Sequence, residues 1–282
     1  MSEQNLSERF IGWAQREPSI RALTLIGSRA RPSDAPDAGD EHSDWDFQVV
    51  SSEPRQFETR DWIDRAGLGP VLAFVWRGGR LGSARKATAL FADGELDVIV
   101  ISSRQLALVR WLLRLGLARR IGAVDRAMTD LATVLRGGYG MLKGEREWGG
   151  FFSRVASSGR VARLSDDDVR NLADGFVCDY QSTRKKIDRG ELLAAQRWLH
   201  HQLAEANFAL LHELRQRRGT PSYPDARRLE TSVDKRELGA VRVAALPTAE
   251  SLRAAIAASA QTCRELAHEL VGSTWQWPEA IE

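Results

Sequence analysis

Three aspartates and one glycine–serine pair are the residues of this 282-residue chain whose types and spacing suit chemistry. Asp44 and Asp46 flank Trp45 at the entry to the apolar run Phe47-Gln48-Val49-Val50, and Asp97 lies inside a second run, Leu96-Asp97-Val98-Ile99. In an extended strand the side chains alternate, so Asp44 and Asp46 face one side while Trp45 packs on the other. Two like charges held together need a cation, and a carboxylate in an apolar strand needs a partner. If Asp97 joins the pair, the three acids form an oxygen cage suited to one or two Mg²⁺ ions, which take carboxylates together with substrate phosphates. Two such ions activate an attacking oxygen and stabilise a leaving one in phosphoryl chemistry. Gly27-Ser28 supplies the complementary half. A glycine at a strand end lets backbone N–H groups approach a phosphate, the Ser28 hydroxyl adds a hydrogen bond, and Arg29 adds positive charge.

The elements that must hold these groups are legible in the hydrophobic pattern. Leu6, Phe10, Trp13 and Ala14 have helical spacing, and Ile20–Ile26 is a short branched run stopped by Gly27. Residues 28–43 are rich in Pro, Asp and Ser and read as a surface loop. A helix is expected over 55–66, followed by strands at 71–76, 87–92 and 95–101. The last two are joined by Asp93-Gly94, a strong hairpin signal. Helical spacing resumes after Ser103, and Gly137–Gly150 reads as a domain boundary. Beyond it the pattern is helical, with a capping-box start at Ser165-Asp-Asp-Asp168 and long apolar stripes over 191–217 and 249–271. The expectation is an α+β chain: a catalytic domain over 1–137 with a mixed β-sheet flanked by helices, and an α-helical bundle domain over 138–282.

In this order the residues Arg21-Ala-Leu-Thr-Leu-Ile-Gly-Ser-Arg29, Asp44-Trp-Asp-Phe47 and Phe91-Ala-Asp-Gly-Glu-Leu-Asp97 resemble the nucleotidyltransferase superfamily with the polymerase-β-like fold. The resemblance is closest to the aminoglycoside 6-adenylyltransferases that inactivate streptomycin. It extends weakly to Lys185 and Arg189-Gly-Glu-Leu-Leu-Ala-Ala195. It implies transfer of AMP from Mg·ATP to an aminoglycoside hydroxyl with release of pyrophosphate. Asp44, Asp46 and Asp97 would then be catalytic and metal-binding, with Asp97 also taking the hydroxyl proton. Gly27, Ser28, Arg29 and Lys185 would contact the nucleotide, and the helical domain would bind the acceptor. The loop from Gly27 to Asp44 is longer than that family leads one to expect.

The remaining features have plainer readings. Forty basic against 38 acidic residues leave a net charge of +2, too balanced for a uniform nucleic-acid-binding field. Transfer of a nucleotide to a tRNA or a protein is the alternative reading, with Arg119-Arg120, Arg184–Lys186 and Arg215–Arg218 as its basic segments. His200, His201, Glu205 and His212 lack the second histidine of a His-Glu-x-x-His site. Two cysteines cannot build a disulfide framework, the polar start is no secretory leader, and no run approaches the ~18 apolar residues of a membrane span. A cytoplasmic protein, more simply a monomer, acting on ATP and a small molecule is therefore expected. Trp45 and Trp148 are candidates to stack a base.

Overall fold

The computed structural model describes residues 5–35, 37–78, 84–159, 162–223 and 225–281, which gather into two compact units, Met1–Ala162 and Arg163–Glu282. In the first unit, α1 (Leu6–Arg16) starts at a capping box in which the Asn5 side chain accepts from the Glu8 amide and Glu8 bonds back. Strands β1 (Ile20–Ile26), β2 (Trp45–Ser51), β3 (Ala73–Gly78), β4 (Arg85–Phe91), β5 (Gly94–Ser102) and β6 (Gly140–Lys143) form one sheet in the order β3-β4-β5-β2-β1-β6. The β2–β5 pair is parallel and the other four pairings are antiparallel, so the sheet is mixed. The fold is α+β, as the pattern implies.

Alternation sorts the strand residues onto two faces. Leu23, Phe47, Val49, Ala87, Ala89, Leu96 and Val98 pack with Phe10 and Trp13 of α1 and Trp62 and Ile63 of α2 (Asp61–Ala66). Burial of each large apolar side chain contributes about 1.5–3 kcal/mol, and Phe47→Ala would cost roughly 3–5 kcal/mol. On the opposite face, Ala22, Ile26 and Val50 pack with Leu106 of α3 (Ser103–Arg114), Leu131 and Leu135 of α4 (Gly122–Arg136) and Phe152 of α5 (Gly150–Ala156). On that same face, Asp46, Thr88 and Asp97 hold adjacent positions across β2, β5 and β4.

The expected boundary at 137/138 falls inside the first unit. Gly140–Lys143 is a strand on the sheet edge paired with β1, and the Lys143 ammonium donates to the carbonyls of Ala14 and Glu17, each at 2.8 Å. A glycine-rich run has the composition of a linker, yet here it carries backbone pairing that no local pattern reveals. The expected helix over 55–66 is a 3₁₀ turn, Pro54–Phe57, followed by the short α2.

In the second unit, Ser165 caps α6 (Asp166–Asp188) through a box with Asp168. The stretch α7 (Leu192–Trp198) and α8 (Glu205–Arg217) is joined through a π-turn, Leu199–Ala204, where one unbroken helix is expected. After α9 (Leu229–Ser232) and α10 (Lys235–Val241), α11 (Ala249–Val271) packs Leu252, Ile256 and Cys263 against Phe176, Leu199, Leu203 and Leu210. No described helix is long and apolar enough to cross a membrane.

Candidate active site

Gly27 ends β1 at φ 74°, a backbone conformation that L side chains rarely adopt, and leads into a 3₁₀ turn over Ser28–Ala30. It also sits against Asp46: a Cβ at position 27 would overlap the Asp46 carboxylate. The antiparallel β1–β2 register sets this approach, because Ile26 lies opposite Asp46. Ser28 is buried, and its carbonyl accepts from the Gly39 amide at 2.8 Å, folding the long loop back over the turn.

The parallel pairing of β2 with β5 places Asp46 opposite Asp97 and Trp45 opposite Leu96. Extended by one residue, that register brings Asp44 toward Glu95. Asp44, Glu95 and Asp97 each offer an oxygen, and these lie within 4.8 Å of one another. The expected trio was Asp44, Asp46 and Asp97. Asp46 shares the face and neighbours Asp97, but its carboxylate lies against Gly27, and Glu95 completes the cluster instead. Sequence reasoning missed Glu95, although the i, i+2 rule that pairs Asp44 with Asp46 equally pairs Glu95 with Asp97. Burial, then the charges of Asp44 and Asp97, push the Glu95 carboxyl above the ordinary range, against the opposing pull of Lys86 and Arg77.

Asp97 is only 4% exposed and is held on both oxygens. The Thr88 hydroxyl donates to Oδ1 at 2.5 Å, and the Lys86 ammonium forms an ion pair with Oδ2. Both partners come from β4, where Thr88 lies opposite Asp97 and Lys86 is two residues away on the same face. Neither was anticipated, since a lysine and a threonine in a strand carry no signal until the hairpin register sets them beside an acid. Deeper on the same face, the Gln48 side chain is fully buried and, among the described residues, its amide has no hydrogen-bond partner.

The other expected residues have different surroundings. Arg29 donates from Nε and Nη2 to the Ser43 carbonyl at 2.9 and 2.6 Å, and its guanidinium lies 4.3 Å from the Trp45 ring centre. It therefore pins the 28–43 loop to β2, and Trp45 carries that cation besides stacking on Phe47. Trp148 is buried and covered by Arg110, so it presents no face to a base. Lys185 is an exposed residue of α6 in the second unit. That unit also contains a cavity of about 460 Å³ lined by Leu211, Leu214, Val241, Glu237 and Glu269 among others. Its acids Glu237 and Glu269 are already paired with Arg218.

Clustered hard oxygen donors in which one carboxyl is raised first by burial and then by the charges of its neighbours fit a divalent cation, which would relieve that repulsion. The mixed sheet carries a glycine–serine turn, an Asp-x-Asp strand entry and an acid on the parallel neighbouring strand, the same residues on which the resemblance to nucleotidyltransferases rests. The family model for streptomycin adenylyltransferase matches residues 1–74, the stretch that contains Gly27, Ser28, Asp44 and Asp46. Among solved structures, an aminoglycoside 6-adenyltransferase from Bacillus subtilis aligns at 13% identity and TM-score 0.41, over 99% of this chain and 94% of that one. A nucleotidyltransferase-like protein from Exiguobacterium sibiricum aligns at 11% identity and TM-score 0.35, over 95% and 76%. No curated protein sequence matches the chain.

Proposed function

We propose that the chain is an aminoglycoside O-adenylyltransferase, transferring AMP from Mg·ATP to a hydroxyl of a streptomycin-like drug. The observation that carries this reading is the overlap of the streptomycin adenylyltransferase match with the half-site Gly27-Ser28 and Asp44-x-Asp46, which the sheet joins to Asp97. The acceptor oxygen bonds to the α-phosphorus, the bond from that phosphorus to the bridging oxygen breaks, and pyrophosphate departs. Divalent cations bound at such a site neutralise the triphosphate and activate the incoming oxygen. Asp44, Asp46 and Asp97 are the proposed cation-holding groups, joined by Glu95, whose oxygen lies within 4.8 Å of those of Asp44 and Asp97. The turn after Gly27 offers backbone N–H groups to phosphate, and Ser28 fixes that turn. The carboxylate cluster receives the hydroxyl proton. Most of the rate comes from positioning and charge neutralisation. A phosphate contact by Lys185, and acceptor recognition by the helical unit, rest on the family resemblance alone.

The test is incubation of purified protein with ATP, Mg²⁺ and streptomycin, following pyrophosphate and the mass of the drug. Drug-dependent pyrophosphate with a drug heavier by one AMP moiety supports the reading. Absence of both, together with salt-sensitive RNA binding, favours transfer to a macromolecule.

A further inference from the structure

The strongest chemistry that the sequence pattern did not absorb is the ion pair of Lys86 with Asp97. Asp97 is the most buried acid of the cluster, with a side chain 5% exposed, whereas that of Lys86 is 29% exposed. One oxygen of Asp97 takes the Thr88 hydroxyl and the other takes the ammonium, so the face that a divalent cation would use already holds a positive charge. Asp44 and Glu95 lie within 4.8 Å of the same carboxylate, and Lys86 is among the charges that hold Glu95 down. A monovalent ammonium on a flexible stem neutralises one acid of the three, leaving the group net negative and still attractive to a doubly charged ion.

We propose that Lys86 is a built-in counter-ion that competes with the divalent metal for Asp97. With no metal bound, it keeps a buried carboxylate paired and the sheet face stable. Asp97 would give up the ammonium on holding a divalent cation, leaving Lys86 to turn to the anionic phosphates that enter with it. The exchange ties full metal affinity to the presence of nucleotide, and so discourages the site from filling with metal alone. This inference rests on the proposed function only in taking Asp97 as a metal-holding group.

The test measures Mn²⁺ alone, with no nucleotide, by electron paramagnetic resonance on the full-length protein. Lys86→Met should bind Mn²⁺ at least about five-fold more tightly than the unaltered protein, since a positive charge beside the site has been removed. Lys86→Arg keeps the charge and should bind as the unaltered protein does. Asp97→Asn should bind at least about five-fold more weakly than the unaltered protein. Circular dichroism on each variant confirms the fold, with Lys86→Gln as a second neutral variant if Lys86→Met does not fold. Unchanged or weaker Mn²⁺ binding in the neutral Lys86 variant, with binding lost in Asp97→Asn, overturns the competition and leaves the site standing. Unchanged binding in Asp97→Asn removes the site and the competition together.

Discussion

Gly27 and Asp46 are packed so closely across the β1–β2 pair that no side chain fits at position 27 without moving the carboxylate. Gly27→Ala therefore combines a positive φ with a collision at the proposed catalytic centre. It should cost about 1–3 kcal/mol of stability and lower kcat/KM by about 100-fold through misplacement of Asp46. Gly67 is the control: its φ is 64°, but a Cβ there would meet nothing within 4 Å. Gly67→Ala should cost about 1 kcal/mol and leave transfer unchanged. Thermal unfolding alongside a pyrophosphate assay separates the two effects.

Neutralising the acids tests the assignment directly. Asp46→Asn and Asp97→Asn should each reduce transfer by about 100-fold or more while the circular dichroism spectrum is retained. Wild-type rates in either variant would show that the Asp46–Asp97 register serves only the fold.

The crowding of Glu95 predicts a pH dependence of stability. Its carboxyl is raised in the folded chain, so the native state holds that proton more tightly than the unfolded state, and stability falls as pH rises from the ordinary value of 4.5 through the raised one. Glu95→Gln should thus be the more stable protein at neutral pH without metal, and the difference should vanish as the medium is acidified below that window. Millimolar Mg²⁺ should stabilise the unaltered protein more than the variant, by linkage. Melting temperatures across a pH series, with and without Mg²⁺, check both statements.

Arg29 holds the 28–43 loop through two bonds to one carbonyl and a flat contact with Trp45. Lysine cannot reproduce the planar fork. Arg29→Lys should therefore speed proteolytic cleavage within 30–43 several-fold and alter Trp45 fluorescence, and equal cleavage rates would remove the pinning role.

In the second unit, Glu213 is 2% exposed and accepts from Arg163, Arg217 and the Leu164 amide. Burial raises its carboxyl, but these donors outweigh burial and leave it below the ordinary value. Its contribution is present above pH 4.5 and lost as pH falls through the depressed value. Glu213→Ala should cost roughly 3 kcal/mol, read by denaturant unfolding at pH 7, with a smaller cost at pH 3.

Local chemistry alone carries much of this protein. The short branched apolar runs in 20–26, 45–50 and 95–101 specify strands because they are packed on both faces of the sheet, whereas the hairpin closes over Ala92-Asp93, with Phe91 opposite Gly94, one residue before the Asp93-Gly94 signal places it. Gly27-Ser28 and Asp44-x-Asp46 are visible because they are contiguous. Glu95, Lys86 and Thr88 are not, since their meaning depends on which residue of β4 faces which residue of β5, and on the parallel alignment of β5 with β2. The unit boundary at Ala162 is likewise hidden, because β6 belongs to the sheet through hydrogen bonds with a strand more than a hundred residues earlier. Residue types and short spacings set which groups are available for catalysis. Long-range strand register, a property of the whole sheet's packing and twist, decides which of them meet.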